Sequence, residues 1–242
     1  MYGTTLFLNF QEEVKVMRLT EMHLHTSQSS SCGQADAYEI PALYKSKGFD
    51  NLTVTDHFAE KALERFKGSS TAQVDQWLEG YRTVAKEGKK LGMRVFLGFE
   101  LRQQGTREDF LIYGLDEAFL FKNPTLFLLP IEEAAALINA EGGLIFQAHP
   151  YRVINNRHYT RYPNLIQGVE VYNGSVKHMP FNHNKKALTF ADKHHLLKIA
   201  GSDFHRPEDT GQAGIYLPGD VSTEAEMADY LRHNNAEMYI RV

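Results

Sequence analysis

Cysteine is nearly absent: Cys32 is the only one among 242 residues. That excludes a disulfide-stapled secreted scaffold and fits a reducing compartment. No apolar run approaches the ~20 residues of a bilayer-spanning helix, and no basic region leads into an apolar stretch near the N-terminus. A cytoplasmic protein with no membrane partner is therefore expected. Glycine (18) and proline (8) are too few for collagen-like or low-complexity structure. An excess of positive charge is missing too. The 26 Lys and Arg face 30 Asp and Glu, net −4, which gives no general pull toward nucleic acid or anionic lipid. What is present is a 43% hydrophobic content, enough for a sizeable core, and 11 histidines.

No repeat, low-complexity tract or linker divides the chain, so a single domain over 1–242 is expected, with 1–17 as an extra N-terminal strand or hairpin. Short β-branched apolar runs alternate with amphipathic stretches. Strands are expected at 18–23, 51–55, 94–99, 110–113, 143–147, 168–171 and 198–200, and later near 214–217 and 237–242. Most are continuous hydrophobic runs, the pattern of parallel strands covered on both faces. One long helix is expected over 71–91, opened by the pair Ser70 and Gln73. Others are expected from Pro130-Ile131 to Gly142-Gly143, from Thr223 (with Glu226 as capping partner) to about His233, and over 36–47. This alternation reads as a closed or nearly closed α/β barrel, with a doubly wound sheet as the alternative.

Polar residues of metal-binding type stand where those strands end. In His23-Leu24-His25, residues i and i+2 of a strand share a face, so both imidazoles can grip one ion. The others are Thr55-Asp56-His57, Gly98-Phe99-Glu100, Ala148-His149-Pro150 and Ser202-Asp203-Phe204-His205. Singly, each has a bland reading: a polar residue leaving a strand, a capping Glu, a structural His. Jointly, five of the 11 histidines and two acids fall at the C-terminal ends of five strands. In a barrel those ends share one face. Burying so many polar groups together is costly without cations, and imidazoles and carboxylates are good ligands for Zn, Mn or Fe. Arg102, Arg152 and Arg206 each follow one of these motifs and are candidates for binding a substrate phosphate, or else pair with carboxylates.

In their order, these five motifs resemble those of the PHP (polymerase and histidinol phosphatase) family, over about 18–217. The resemblance implies a distorted (β/α)7 TIM-like barrel, two or three divalent metal ions, and hydrolysis of a phosphate ester by a metal-activated water. It implies that His23, His25, Glu100 and Asp203 hold a first ion, and that Glu100, Asp109 and His149 hold a second. His57 and His205 remain for a third ion or for substrate. His57, Glu100, Asp203 and His205 are the implied catalytic set.

Two departures from the family pattern matter. After the second His, Ser27 to Cys32 offer only hydroxyls and one thiol where an acid or His is usual. Cys32 reads as a packing residue or an oddity of the third site, and that site is expected to be weak, with Ser30→Asp or Ser31→His strengthening it. Asp109 also stands where a His is common, as a ligand or as a solvated loop acid. The expected substrate is a small-molecule phosphate monoester. The alternatives are a nuclease or phosphodiesterase on nucleic acid ends, a phosphotyrosine-protein phosphatase, or a degenerate, non-catalytic metal-binding barrel.

Overall fold

The computed structural model describes residues 15–154, 157–175 and 183–241. The N-terminal strand or hairpin expected at 1–17 lies, apart from 15–17, outside the described residues. In chain order the first elements are β1 (Met17–Glu21), α1 (Ile40–Ser46), β2 (Asn51–Val54), β3 (His57–Phe58) and α2 (Glu60–Leu63). Then come α3 (Ser70–Trp77), α4 (Glu79–Lys90), β4 (Arg94–Leu97), β5 (Phe99–Leu101), β6 (Phe110–Tyr113) and α5 (Glu117–Lys122). The second half contains α6 (Ile131–Ala140), β7 (Leu144–Gln147), β8 (Val153–Ile154), β9 (Arg157–His158) and β10 (Gly168–Asn173). It closes with α7 (His183–His194), β11 (Leu197–Gly201), β12 (Ala213–Pro218), α8 (Glu224–His233) and β13 (Met238–Ile240).

The strands form a five-stranded sheet ordered β13-β12-β1-β2-β4, a six-stranded sheet ordered β11-β10-β7-β6-β5-β3, and the hairpin β8-β9. Both large sheets are mixed: β1, β2 and β4 run parallel, but β12 pairs antiparallel with β1 and β6 antiparallel with β5 and β7. The α/β fold expected from the alternation is present; the parallel pairing expected for most strands is broken where β6 and β12 run antiparallel to their neighbours. The reason is local. β6 and β7 each bury all four of their residues, so their patterns carry no exposed face that would reveal which way they run. Beyond β1 and β11 the chain forms one further bridge, Leu24 with Phe204, in which His25 N donates to Phe204 O (3.0 Å) and Phe204 N to His23 O (3.1 Å). This seam puts the His23–His25 and Asp203–His205 segments side by side.

The expected helix over 71–91 is two helices, α3 and α4, meeting at Leu78. At the joint the Ser29 hydroxyl donates to the Trp77 carbonyl, a tertiary contact that periodicity cannot reveal. The N-cap is Ser69, whose hydroxyl accepts from Ala72 N, rather than Ser70. At α8 the Thr223/Glu226 capping box forms as expected. Among the described residues no helix is long and apolar enough to cross a membrane. Phe58, Trp77, Phe99 and Phe110 lie in the largest apolar cluster, behind the strand ends that carry the site.

Candidate metal centre

The ligand candidates lie in or next to strands: His57 in β3, Glu100 in β5, Asp109 just before β6, and His23, His25, His149 and Asp203 two to four residues past the ends of β1, β7 and β11. His23, His25, Glu100, Asp109, His149 and Asp203 are all buried. His23 Nε2 lies 3.2 Å from His25 Nε2 and 3.3 Å from Asp203 Oδ1. His25 Nε2 lies 3.4 Å from both Asp203 Oδ1 and Glu100 Oε2, and His23 Nε2 lies 3.6 Å from Glu100 Oε1. A tetrahedral ion with bonds of about 2.1 Å separates its donors by about 3.4 Å. The four side chains therefore stand where one cation would hold them.

Glu100 also reaches outward. Its Oε1 is 3.1 Å from His149 Nε2, and its Oε2 is 2.9 Å from His57 Nδ1 but off the line of a hydrogen bond. Donor atoms of His23, Glu100 and His149 fall within 4.8 Å of one another, as do those of His57, Glu100 and Asp109, and those of His25, Cys32 and His57. Three atoms in this centre, Glu100 Oε2, His149 Nδ1 and Asp203 Oδ2, are buried with no hydrogen-bond partner. Buried polar atoms without partners are uncommon, and together with this donor set they fit divalent cations. Two of the candidates also hold the backbone in the left-handed region, Asp203 at φ 52° and His149 at φ 28°. Such strain persists where surrounding structure over-determines it, typically at functional sites.

The electrostatics follow from burial among carboxylates. Burial pushes His23 down, but the charges of Asp203, Glu170 and Glu100 outweigh it and hold the imidazole well above its ordinary range. His57 is raised in the same way, chiefly by Glu100. His25, packed between the His57 and His205 rings, is instead pushed down to about 3, chiefly by burial. Burial raises Glu100 and Asp203, yet the surrounding imidazoles hold both carboxylates well below their usual range. For the Cys32 thiol, burial acts upward, but the His205 and His57 imidazoles beside it bring it to about 7.

The three candidate arginines separate clearly. Arg102 is committed to Asp109, donating from Nε to Oδ1 (2.6 Å) and from its terminal nitrogen to Oδ2 (2.7 Å). It is a carboxylate partner rather than a free substrate cation, and Asp109 is a buried, Arg-bound acid rather than a solvated one. Arg206 is exposed and 3.6 Å from Asp209. Among the described residues Arg152 has no carboxylate partner; its Nε is buried without a hydrogen bond, and the charges of Asp203, Glu100 and Asp109 raise its pKa.

Sequence reasoning missed Glu170 and Asp56. Glu170, buried on β10, takes His23 Nδ1 (2.8 Å) and His149 N (2.9 Å) on its two oxygens. The signal was there, an acid inside the apolar run Val169-Glu170-Val171. Asp56 accepts from Thr26 N, Thr26 Oγ1 and Ser30 Oγ and so folds the loop after His25 back toward His57; burial lifts it to about 6.

A family model described as PHP-associated matches residues 181–236. No curated protein matches the chain. Among solved structures, it resembles a two-domain protein from Bacteroides vulgatus described as containing a predicted PHP-like metal-dependent phosphoesterase. The identity there is 16% and the TM-score 0.68, over 99% of this chain and 70% of that one. It also resembles a lesion-specific endonuclease from Pyrococcus furiosus (16% identity, TM-score 0.64, 92% of this chain and 58% of that one). A third likeness is to an amidohydrolase from Chromobacterium violaceum with bound sulfate (17% identity, TM-score 0.53, 88% and 96%). At these identities the shared property is the fold. The family model covers only the C-terminal part of the chain, and the solved structures share its fold.

Proposed function

We propose that this chain is a single-domain, cytoplasmic PHP-type phosphoesterase that hydrolyses a phosphate monoester of a small metabolite at a multinuclear divalent-metal site. The seven strand paths that lead to the site are read as a distorted barrel closed at the Leu24–Phe204 bridge. The observation that carries the reading is the buried, unpartnered Nε of Arg152 beside a cluster of metal-type ligands. A guanidinium without a carboxylate, next to cation positions, suits a phosphoryl group better than a neutral amide.

His23, His25, Glu100 and Asp203 would hold the first cation. Glu100 and His149, with Asp109 beside them, would hold a second, and His57 and His205 stand at the open side of the centre. Bound divalent cations would supply Lewis acidity toward phosphoryl oxygens and a lowered pKa for water. The protein's own groups do the rest. Glu100 keeps Oε1 beside His149 and Oε2 beside His57, so it would offer a donor to cations on either side. Arg152 binds and orients the phosphoryl group, with Arg206 at the mouth for the remainder of the ester. His205, tied through Nδ1 to Asp203 O (2.8 Å), has its ring orientation fixed toward the cleft side of the cluster. The net charge of −4 favours small esters over nucleic acid.

The test is reconstitution of the metal-stripped protein with Zn²⁺, Mn²⁺ or Fe²⁺ and assay against phosphomonoesters, phosphotyrosine peptides, single-stranded DNA and amides. Release of phosphate from small monoesters ahead of all others is expected. Faster cleavage of DNA would reassign the chain to nucleic acid ends, and turnover of amides alone would remove it from phosphoester chemistry.

A further inference from the structure

The loop between His25 and Ala35 offers five hydroxyls and one thiol, and the structure disposes of the hydroxyls one by one. Thr26 Oγ1 donates to Asp56 Oδ2 (2.7 Å), Ser27 Oγ to Gln28 Oε1 (3.2 Å), and Ser29 Oγ to the Trp77 carbonyl. Ser30 Oγ donates to Asp56 Oδ1 (2.6 Å) and accepts from His57 N (2.9 Å), while Ser31 is exposed to solvent. Gly33 lets the loop close on itself, since a Cβ there would lie 2.5 Å from the Thr26 carbonyl oxygen. The donor left over is the sulfur of Cys32, clustered within 4.8 Å of donor atoms of His25 and His57. His57 Nδ1 faces the unpartnered Glu100 Oε2, which ties this cluster to the rest of the centre.

The geometry points to Cys32 as a metal ligand: with His57, and with His25 alongside, its thiolate holds a borderline-soft divalent cation such as Zn²⁺ or Fe²⁺. This rests on the metal centre proposed above. The thiol proton leaves to solvent as the cation binds. A sulfur donor selects Zn²⁺, Fe²⁺ or Co²⁺ over Mn²⁺, whereas the positions built from imidazole and carboxylate take any of these. The centre is therefore chemically uneven, with one position that discriminates between metals.

Cys32 is the only cysteine, so any cysteine-thiolate signal comes from it. Titration of the metal-stripped chain with Co²⁺ should give visible ligand-field bands together with a near-ultraviolet sulfur-to-cobalt charge-transfer band. Cys32→Ser should keep the former, lose the latter and bind one cation fewer. Wild-type protein dialysed against Zn²⁺ should retain one more ion per chain than when dialysed against Mn²⁺, and Cys32→Asp should abolish that difference by giving Mn²⁺ a ligand. Ligand-field bands without the sulfur band, or equal Zn²⁺ and Mn²⁺ content in the wild type, overturn the assignment of Cys32 and leave the metal centre standing. Absence of both kinds of band overturns the metal centre itself, and this proposal with it.

Discussion

Glu170 and His23 meet at 2.8 Å, carboxylate to Nδ1, and that contact decides which nitrogen of the ring faces the other ligands. With Nδ1 engaged, Nε2 points at His25, Asp203 and Glu100. A carboxylate behind a ligating imidazole fixes its orientation and raises its basicity, and losing such a partner typically costs about 10–100-fold in metal affinity. Glu170→Ala is expected to weaken the first cation by that factor, measured by competition with a chromophoric chelator. Glu170→Gln should recover part of the loss, because an amide oxygen can still accept from Nδ1. An unchanged affinity in Glu170→Ala would mean that the contact is only packing.

Removing a ligand outright is a different experiment. Asp203→Ala and His25→Ala should each strip at least one cation and abolish phosphoester turnover, with the circular dichroism spectrum unchanged. Metal content by elemental analysis and phosphate release are the readouts. Wild-type turnover in either variant would show that these side chains do not hold the reactive ion.

The arginines should divide into a binding role and a structural one. Arg152→Ala is expected to raise KM for a phosphomonoester by roughly 10–100-fold, the loss of a charge-assisted hydrogen bond of about 1.5–3 kcal/mol, with the melting temperature little changed. Arg102→Ala should act the other way. It leaves Asp109 buried without its partner, at a stability cost of roughly 1–3 kcal/mol, read by denaturant unfolding.

Protons and cations compete for the same nitrogens. His23 and His57 are both held well above the ordinary imidazole range, so each keeps its proton to higher pH than a free histidine would. A ligating imidazole must be neutral, so loading the metal-stripped chain should release protons, and affinity should climb as pH rises from about 6. Isothermal titration in two buffers of different ionisation enthalpy measures that release. Metal affinity independent of pH would place the ions elsewhere.

Strand-end ligands were legible because alternation is enforced by the backbone: once 18–23 is a strand, His23 and His25 must share a face. Asp203 and His205 flank the bridge residue Phe204 opposite Leu24, but Asp203 leaves strand backbone there at φ 52°, which the sequence pattern does not show. The loop after His25 was not legible. Its shape depends on Asp56, Trp77 and His57, which lie more than twenty residues away, so the hydroxyls of Ser29 and Ser30 looked available when both are consumed. For the same reason Ser30→Asp, expected from sequence to strengthen the third position, would instead set a second carboxylate against buried Asp56. Helix α3 ends at Trp77 for an equally distant cause, the Ser29 hydroxyl on its carbonyl. The mixed strand directions stayed hidden because β6 and β7 are buried throughout and carry no face-dependent pattern.

Gly201, at the end of β11, leaves no room for even one more carbon: a Cβ there would sit 2.6 Å from His23 Cβ and 3.1 Å from Glu170 Oε1. The main chain at that point is in effect a wall of the coordination chamber, pressed against both the ring and the acid that steers it. A methyl group at position 201 would therefore act as a wedge, prying imidazole from carboxylate while every ligand stays in the sequence. The chamber's fidelity is written partly in an atom that is missing from the chain, and no census of histidines and acids would detect its loss.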